Sequence, residues 1–356
     1  MMGNSSLQKP STAVATWLLI GVGMIIIQIM LGGITRLTES GLSITEWKPI
    51  TGILPPMNPD QWQLEFNKYQ HTDQFRYIHS DFSLNDFKFI FFWEWFHRLW
   101  ARLLGFVFLA GFAYFLITRQ LNKQMVVPMI ILFLLGALQG AVGWLMVKSG
   151  LVPEQLFVGH IQLAAHFIAA MILLCYTFWF ALILLVEKES IVLNSSLRNL
   201  SIGICIMLSI QLVYGAFMAG LKAATAAPTW PTINGSFIPG YIGRISPWWR
   251  DLADNKITVQ FIHRDIAYLL LLLVVVWFIK ARKIRSSILF NKTKWLPVAL
   301  LIVQIVLGIT TVLRSPYSHE LVYYGVAHQL VGILFLMSVI WMIFLVRNPA
   351  KGINAI

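Results

Sequence analysis

Four histidines and four glutamines recur at matching positions in two halves of this chain, in surroundings that are otherwise apolar. The first half carries Gln28, His97, Gln139 and His166, and the second Gln211, His263, Gln304 and His328. The offsets are 183, 166, 165 and 162 residues, so most of the drift comes from one longer loop in the first half. Each Gln opens the pattern Gln-x-x-x-Gly, closing at Gly32, Gly143, Gly215 and Gly308. The context repeats as well: His97-Arg98 answers His263-Arg264, and Ala165-His166 answers Ala327-His328. A duplicated module that keeps two imidazoles per copy in apolar sequence needs a reason to hold them there, and two metal centres are the leading one. Neutral imidazole ligates haem iron, zinc and copper. Zinc would want a third or fourth ligand close by, and the one acidic residue near His263, Asp265, falls on another helix face. Two axial histidines in a large apolar pocket fit haem better. The aromatic shell around His97 (Phe91, Phe92, Trp93, Trp95, Phe96, Trp100) either lines such a pocket or is ordinary packing.

The two halves differ in one acidic group. Glu94 precedes His97 by three residues, so the two side chains share a helix face. The matching residue before His263 is Gln260, which cannot ionise. A carboxyl group on the ligand face of a membrane helix is expensive and is a functional candidate by default. Beside a haem it can take a proton, orient water or stabilise a developing cation; its structural alternative is a partner for Arg98 or for a haem ligand. The pattern predicts a reactive centre in the N-terminal half, with Glu94 as its catalytic residue, and a quieter electron-carrying centre in the C-terminal half. A cation follows each Gln by 8–11 residues: Arg36, Lys148, Lys222 and Arg314. Cations suit helix C-termini and snorkel to the interface, and they are also the partners that outward-pointing haem propionates need. Arg36 and Lys222 are the strongest candidates for that contact.

The elements that must position these residues are membrane helices. Hydrophobic residues make up 58% and charged residues 12% of the 356 positions, far from the balance of a soluble domain. Apolar runs of spanning length, roughly 20 residues, lie near 14–35, 88–117, 125–147, 158–186, 198–220, 258–280, 295–313 and 321–346. The expected fold is an all-α polytopic membrane protein, eight transmembrane helices arranged as two pseudo-symmetric four-helix bundles. Residues 1–190 form the N-terminal half with the long outer loop 36–87, and 191–356 the C-terminal half with outer loop 221–257. Lys9, Arg119, Lys123, Lys188, Arg198, the cluster 280–294, Arg347 and Lys351 fall at one set of helix ends, which places both termini in the cytoplasm. The net charge of +12 is largely this topological signal rather than a sign of nucleic-acid binding. No Arg-rich amphipathic leader precedes the first span, so a bacterial cytoplasmic membrane is the expected home. Cys175 and Cys205 both fall inside spans and form no CxxC motif, so thiol redox chemistry is not expected. All four histidines enter from the outer side, roughly 8–15 Å below the outer helix ends at about 1.5 Å of rise per residue. At one depth they can form two facing pairs, as cofactor ligands do in bundles. The two outer loops, rich in Trp, Pro and Gly, show no obvious regular structure and are read as caps or as interface covering.

The stretches GGITRLTESGLSITEWKPITGILPP, EFNKYQ, DFKFIFFWEWFHR, QGAVGWLMVKSGL and VQFIHRDIAY resemble the heme A synthase family, from the first span through the eighth. The long first loop and the absence of loop cysteine pairs are similar to the subgroup shared by mitochondria and many Gram-negative bacteria. The resemblance implies two four-helix halves, each with a haem site. It implies oxidation of a methyl group of heme O to the formyl group of heme A in successive steps, with water as the oxygen source. The family's Glu-x-x-His motif falls on Glu94 and His97, and its other histidines on His166, His263 and His328. By this resemblance the N-terminal pair faces the substrate haem and the C-terminal pair holds a haem b. The chain departs from the family pattern at Lys222, Asn234 and Gln162. His71, His79, His160 and His319 match no family ligand and are expected to be loop or interface residues. Implied partners are heme O, the enzyme that makes it and cytochrome oxidase assembly factors; a homo-oligomer is compatible with this frame. Two other classes compete. A di-haem b-type electron-transfer protein shares the four histidines but gains nothing from Glu94. A transporter built from repeats would show Gly- or Pro-interrupted helices at mid-membrane, which the histidine helices lack.

Overall fold

Long apolar runs that cannot leave backbone groups unpaired in lipid must be helical, and the chain follows that rule throughout. The computed structural model describes residues 12–47, 51–121 and 123–348. Eight of its helices are long and apolar enough to cross a membrane. The first is α1 (Thr12–Leu37); the long first loop that follows contains α2 (Pro59–Gln70) and α3 (Asp73–Tyr77). Next come α4 (Leu84–Ile117), α5 (Lys123–Gly150), α6 (His160–Leu185) and α7 (Ser195–Gly220). The second long loop carries α8 (Trp248–Asp254), and α9 (Lys256–Ala281), α10 (Ile288–Thr293), α11 (Leu296–Arg314) and α12 (Ser318–Leu345) follow. The sequence spans are matched to within a few residues. The basic residues Lys9 and Lys351 lie outside the described residues.

Local signals set the boundaries. Ser83 and Asp86 form a reciprocal capping box that starts α4 inside the polar loop, a full turn ahead of its apolar core. Asn194 and Asn255 accept backbone N–H bonds at the starts of α7 and α9. Pro297 in the first turn of α11 supplies the fixed φ that suits that position. A short parallel pairing, β1 (Val192–Leu193) with β2 (Val346–Arg347), ties the link between the halves to the end of α12.

Each span that carries a Gln packs on a span that carries a His: α1 on α4, α5 on α6, α7 on α9, and α11 on α12. The inner helices α1, α6, α7 and α12 then join these pairs through α1–α6, α7–α12, α6–α7 and α1–α12 packing. Buried residues of α1, α6, α7, α9 and α12 form one continuous apolar core.

The loops depart from expectation. Rather than lacking regular structure, the first loop folds α2 and α3 into a small cap. Phe66, Tyr69, Phe87, Ile90 and Phe91 form its own apolar core, with Trp62 edge-on to Phe91 at 5.1 Å. The physical reason lies in the local sequence. Asn58 caps α2 with Pro59 at its first position, and Thr72 caps α3, so two short helices form where composition read as loop.

Candidate functional site

The repeated Gln and Gly residues build seats for the four histidines. Gln28 Nε2 donates to the carbonyl of His97 at 3.2 Å, Gln139 Nε2 to that of His166 at 3.1 Å, and Gln211 Nε2 to that of His263 at 2.9 Å. In the fourth seat Gln304 Nε2 lies 3.2 Å from His328 Nε2, and His328 Nδ1 lies 3.1 Å from the Gln304 carbonyl oxygen. One helical turn on from each Gln, the glycine leaves room for the ring. A methyl at Gly143 would stand 2.7 Å from His166 Cε1, at Gly308 2.9 Å from His328 Cε1, at Gly215 3.3 Å from His263 Cε1 and at Gly32 3.4 Å from His97 Nε2. The Gln-x-x-x-Gly repeat is therefore a histidine-packing motif, a role the sequence pattern alone did not disclose.

In the C-terminal half the two rings face each other, His263 and His328 having centroids 6.4 Å apart and planes at 71°. A metal held between two imidazoles by bonds of about 2 Å each needs that order of separation once the ring half-widths are added. Buried His263 Nδ1 has no hydrogen-bond partner. Among the described residues no three His, Cys, Asp or Glu side chains converge as an all-protein metal cage requires. The donor set thus fits an axially ligated haem better than a zinc or copper cage.

Glu94 is buried and fully engaged. Its Oε1 accepts from Arg98 Nη2 at 2.5 Å, and its Oε2 accepts from Ser43 Oγ at 2.7 Å and from the Ile44 backbone N–H at 2.8 Å. Arg98 also donates to the carbonyls of Glu46 at 3.3 Å and Ile44 at 3.2 Å. The carboxylate therefore anchors the first outer loop to the His97 helix in addition to lying one turn from the ring. The second half repeats the device with an amide: Gln260 Nε2 donates to the Ala227 carbonyl at 2.9 Å. Arg264 ties down the carbonyls of Thr232 and Thr229 at 3.2 and 2.6 Å. Ser43 and Ile44 carried no signal in the sequence beyond their place in a polar stretch.

The four cations are not equivalent. Arg36 and Lys222, one from each half of the sequence, meet over the ring of Phe157, 5.4 and 3.9 Å from its centroid. Arg36 Nη2 donates to the Gly220 carbonyl at 2.9 Å, which leaves its buried Nε unpaired. Lys222 pairs with Glu39. Lys148 lies 5.3 Å from the Trp144 ring centroid, and Arg314 is 3.3 Å from Glu320 on the half-exposed rim.

Two histidines expected to be ordinary loop or interface residues belong to polar networks. His79 is buried, its Nδ1 2.6 Å from the Tyr69 hydroxyl and its Nε2 3.4 Å from Glu39 Oε2. The hydrogen bond with His79, outweighing burial and supported by Lys222, holds the Glu39 carboxyl down to about 2. Burial pushes the Tyr69 phenol well above its usual range. His160 opens α6 with its Nε2 3.0 Å from Asp254 Oδ1 in the second outer loop. The Glu39–Lys222 and His160–Asp254 pairs link the halves, and partners so far apart in the chain leave no local sequence signal.

Residues 15–340 match the family model described as cytochrome oxidase assembly protein. Curated proteins named heme A synthase are similar over most of their length. One from Nitrosospira multiformis is 38% identical over 340 residues, covering 94% of this chain and 93% of the relative. One from Parvibaculum lavamentivorans is 42% identical over 301 residues, covering 85% and 86%. One from Paracoccus denitrificans is 40% identical over 337 residues, covering 92% and 86%. With an eight-span helical fold, four seated histidines and matches of this extent, the chain belongs to the heme A synthase family of cytochrome oxidase assembly proteins.

Proposed function

We propose that this protein is an oxidoreductase that converts heme O to heme A in a bacterial cytoplasmic membrane. Converting the ring methyl to a formyl group with oxygen from water balances as R–CH3 + H2O → R–CHO + 4 H+ + 4 e−, passing through the alcohol. The observation that carries the assignment of roles is the contrast at one helix position: a buried carboxylate, Glu94, one turn before His97, and an amide, Gln260, one turn before His263. His97 and His166 are assigned to the substrate haem, and His263 and His328 to a haem b. Held by His263 and His328, a haem would supply reversible one-electron chemistry, which suits the export of electrons one at a time.

The remaining roles fall to the protein. Gln28 and Gln139 hold the backbone carbonyls of the substrate-side histidines and so set where the substrate ring can sit. Glu94 places negative charge close to His97, where positive charge develops on the carbon being oxidised and where attacking water must lose a proton. Ser43 and Ile44 keep that carboxylate aimed and fasten the outer loop over the site. Arg36, Lys148, Lys222 and Arg314 are proposed propionate partners. Of these, Arg36 has an unused donor on a buried guanidinium, which favours it. The chain divides into halves at residues 1–190 and 191–356, with both termini in the cytoplasm. Heme O synthase and oxidase assembly factors are the proposed partners.

Pigment analysis tests the reading. The protein, expressed in cells that make heme O, should yield heme A or its alcohol precursor on extraction, together with haem b. Recovery of haem b alone would replace the enzyme by an electron relay. Reporter fusions after Lys294 and within residues 221–257 should report opposite sides of the membrane.

A further inference from the structure

One carboxyl group of the second half has no part in the histidine seats or the loop anchors. Asp265 follows His263 by two residues, about 200° around the helix, so it points to the opposite side of α9. It is exposed, stands more than two turns inside a membrane-spanning helix, and makes no hydrogen bond or ion pair among the described residues. An ionisable group in that position is expensive and calls for a partner. Beside it runs a groove of about 490 Å³ between α9 and the second long loop, within the roughly 300–1,000 Å³ of small-molecule sites. Phe261, Arg264, Asp265 and Tyr268 line one side, and Ile233 and Phe237 the other. Arg264 turns its terminal nitrogens to the Thr232 and Thr229 carbonyls, so the groove presents the Asp265 carboxylate as its uncommitted charge. Past Tyr268 the same helix side continues through exposed Leu269, Leu272 and Val276, an apolar track along the span.

Each feature narrows the ligand. The aromatic walls suit a flat ring, and the apolar track suits a long hydrocarbon tail. A carboxylate only accepts hydrogen bonds, and a phosphate headgroup would meet it as a like charge. The polar end of the ligand is therefore uncharged and carries hydroxyl donors, which describes a tailed quinol. Location adds a reason. The groove and the His263 ring flank one helix, about 10 Å thick.

We propose that this groove binds a membrane quinone, which takes up the electrons released by the oxidation. The proposal rests on the reading that His263 and His328 hold a haem b. Each quinone is reduced as Q + 2 e− + 2 H+ → QH2, its carbonyl oxygens taking their protons from water at the loop end of the groove. The whole reaction then balances as R–CH3 + H2O + 2 Q → R–CHO + 2 QH2. Asp265 accepts from an O–H that exists in the quinol and not in the quinone, so the site holds the reduced form more tightly and favours reduction. Tyr268, one turn on along the same face, offers a hydroxyl that donates to a ring oxygen.

Quenching of tryptophan fluorescence in the purified protein, held in phosphatidylcholine nanodiscs and titrated with decylubiquinone or decylubiquinol, measures binding without turnover. Both should bind, the quinol more tightly. Asp265→Asn should raise the quinol Kd about 10–100-fold, the loss expected for a hydrogen bond to a charged group, and leave the quinone Kd nearly unchanged. Phe237→Ala should weaken both forms, because it removes a wall. Haem b reduced with stoichiometric dithionite should be reoxidised when decylubiquinone is added without oxygen, and more slowly in Phe237→Ala. Equal weakening of both forms in Asp265→Asn, or no change in either, overturns the proposal. So does loss of quinol binding when the nanodisc lipid is changed to phosphatidylethanolamine, which would make the groove a seat for an ammonium headgroup. Quinone binding without reoxidation of haem b overturns the electron route. If quinol binds through Asp265 and the wild-type protein lacks a bis-histidine haem spectrum, the groove stands and it is the haem b assignment that falls.

Discussion

The residue one turn before the histidine meets its outer loop with opposite polarity in the two halves. Glu94 only accepts, and the loop answers with donors, the Ser43 hydroxyl and the Ile44 N–H. Gln260 donates, and the loop answers with the Ala227 carbonyl. The neighbouring arginines do the same work in both, each binding two loop carbonyls. Anchoring the loop therefore does not require a charge, because the C-terminal half achieves it with an amide. The carboxylate is retained only where the proposed chemistry builds positive charge. That is the difference expected between a site that transforms its haem and one that holds it.

The contrast breaks most sharply at the ligands. His263→Ala or His328→Ala should abolish or strongly shift the haem b absorption of the purified protein. His160→Ala, which removes contacts with Asp254 at 3.0 Å and with the Phe217 ring at 5.6 Å, should leave it intact. Unchanged spectra in both ligand variants would remove the C-terminal assignment. The N-terminal pair should show weaker and more variable occupancy, since a substrate must also leave.

Next in size is Glu94→Gln, expected to lower heme A output by about 10²–10⁴-fold while haem b stays bound, with heme O or the alcohol accumulating. The geometry adds a complication that a second variant resolves. An amide at position 94 can accept only through its oxygen, so it cannot satisfy Arg98 together with both Ser43 and Ile44, and the loop would loosen. Ser43→Ala loosens the same loop, losing roughly 1 kcal/mol for one hydrogen bond, and leaves the charge in place. If Ser43→Ala costs as much activity as Glu94→Gln, the carboxylate is a loop anchor and nothing more. The reciprocal Gln260→Glu should destabilise the second loop, read as faster proteolysis within residues 221–257, because a carboxylate would face the Ala227 carbonyl.

How much of this could be read from the chain depended on the range of the interaction. The eight spans were legible because each is a continuous apolar run, and the histidine pairs because duplication displayed them twice. Glu94 stood out through comparison with Gln260 within the same sequence. The caps Asn58, Thr72 and Ser83 were legible in principle, being short polar residues directly ahead of helices, yet they were masked by the Trp and Pro of a stretch that read as loop. The contacts of Glu94 with Ser43 and Ile44, and of Glu39 with Lys222, join residues dozens to well over a hundred positions apart. No periodicity encodes them. The Gln-x-x-x-Gly repeat lies between these cases: visible as a pattern, and meaningful only once the ring of the partner helix stands against the glycine.

The smallest expected effect concerns the outer network where the halves meet. Glu39 faces His79, Lys222 and the Arg36 guanidinium, with Tyr69 behind His79. The hydrogen bond with His79, with Lys222 adding to it, depresses the Glu39 carboxyl to about 2. Its value in the folded protein lies below that of the unfolded chain, so this contact contributes stability that is fully present above the unfolded value. The contribution is lost as pH falls from about 4.3, the ordinary glutamate value, toward about 2. Thermal melts of the detergent-solubilised protein should therefore drop more steeply below about pH 4.5 for wild type than for Glu39→Gln. The variant should already be a few degrees less stable near neutrality. The network touches neither histidine pair and meets the haem sites only through Lys222 and Arg36, the proposed propionate partners, so the haem b bands that report histidine ligation should be the same in both proteins at every pH at which they remain folded. Loss of those bands in Glu39→Gln would mean that the network also positions the ligating histidines, and the loop contacts and the histidine seats could then no longer be treated as separately built.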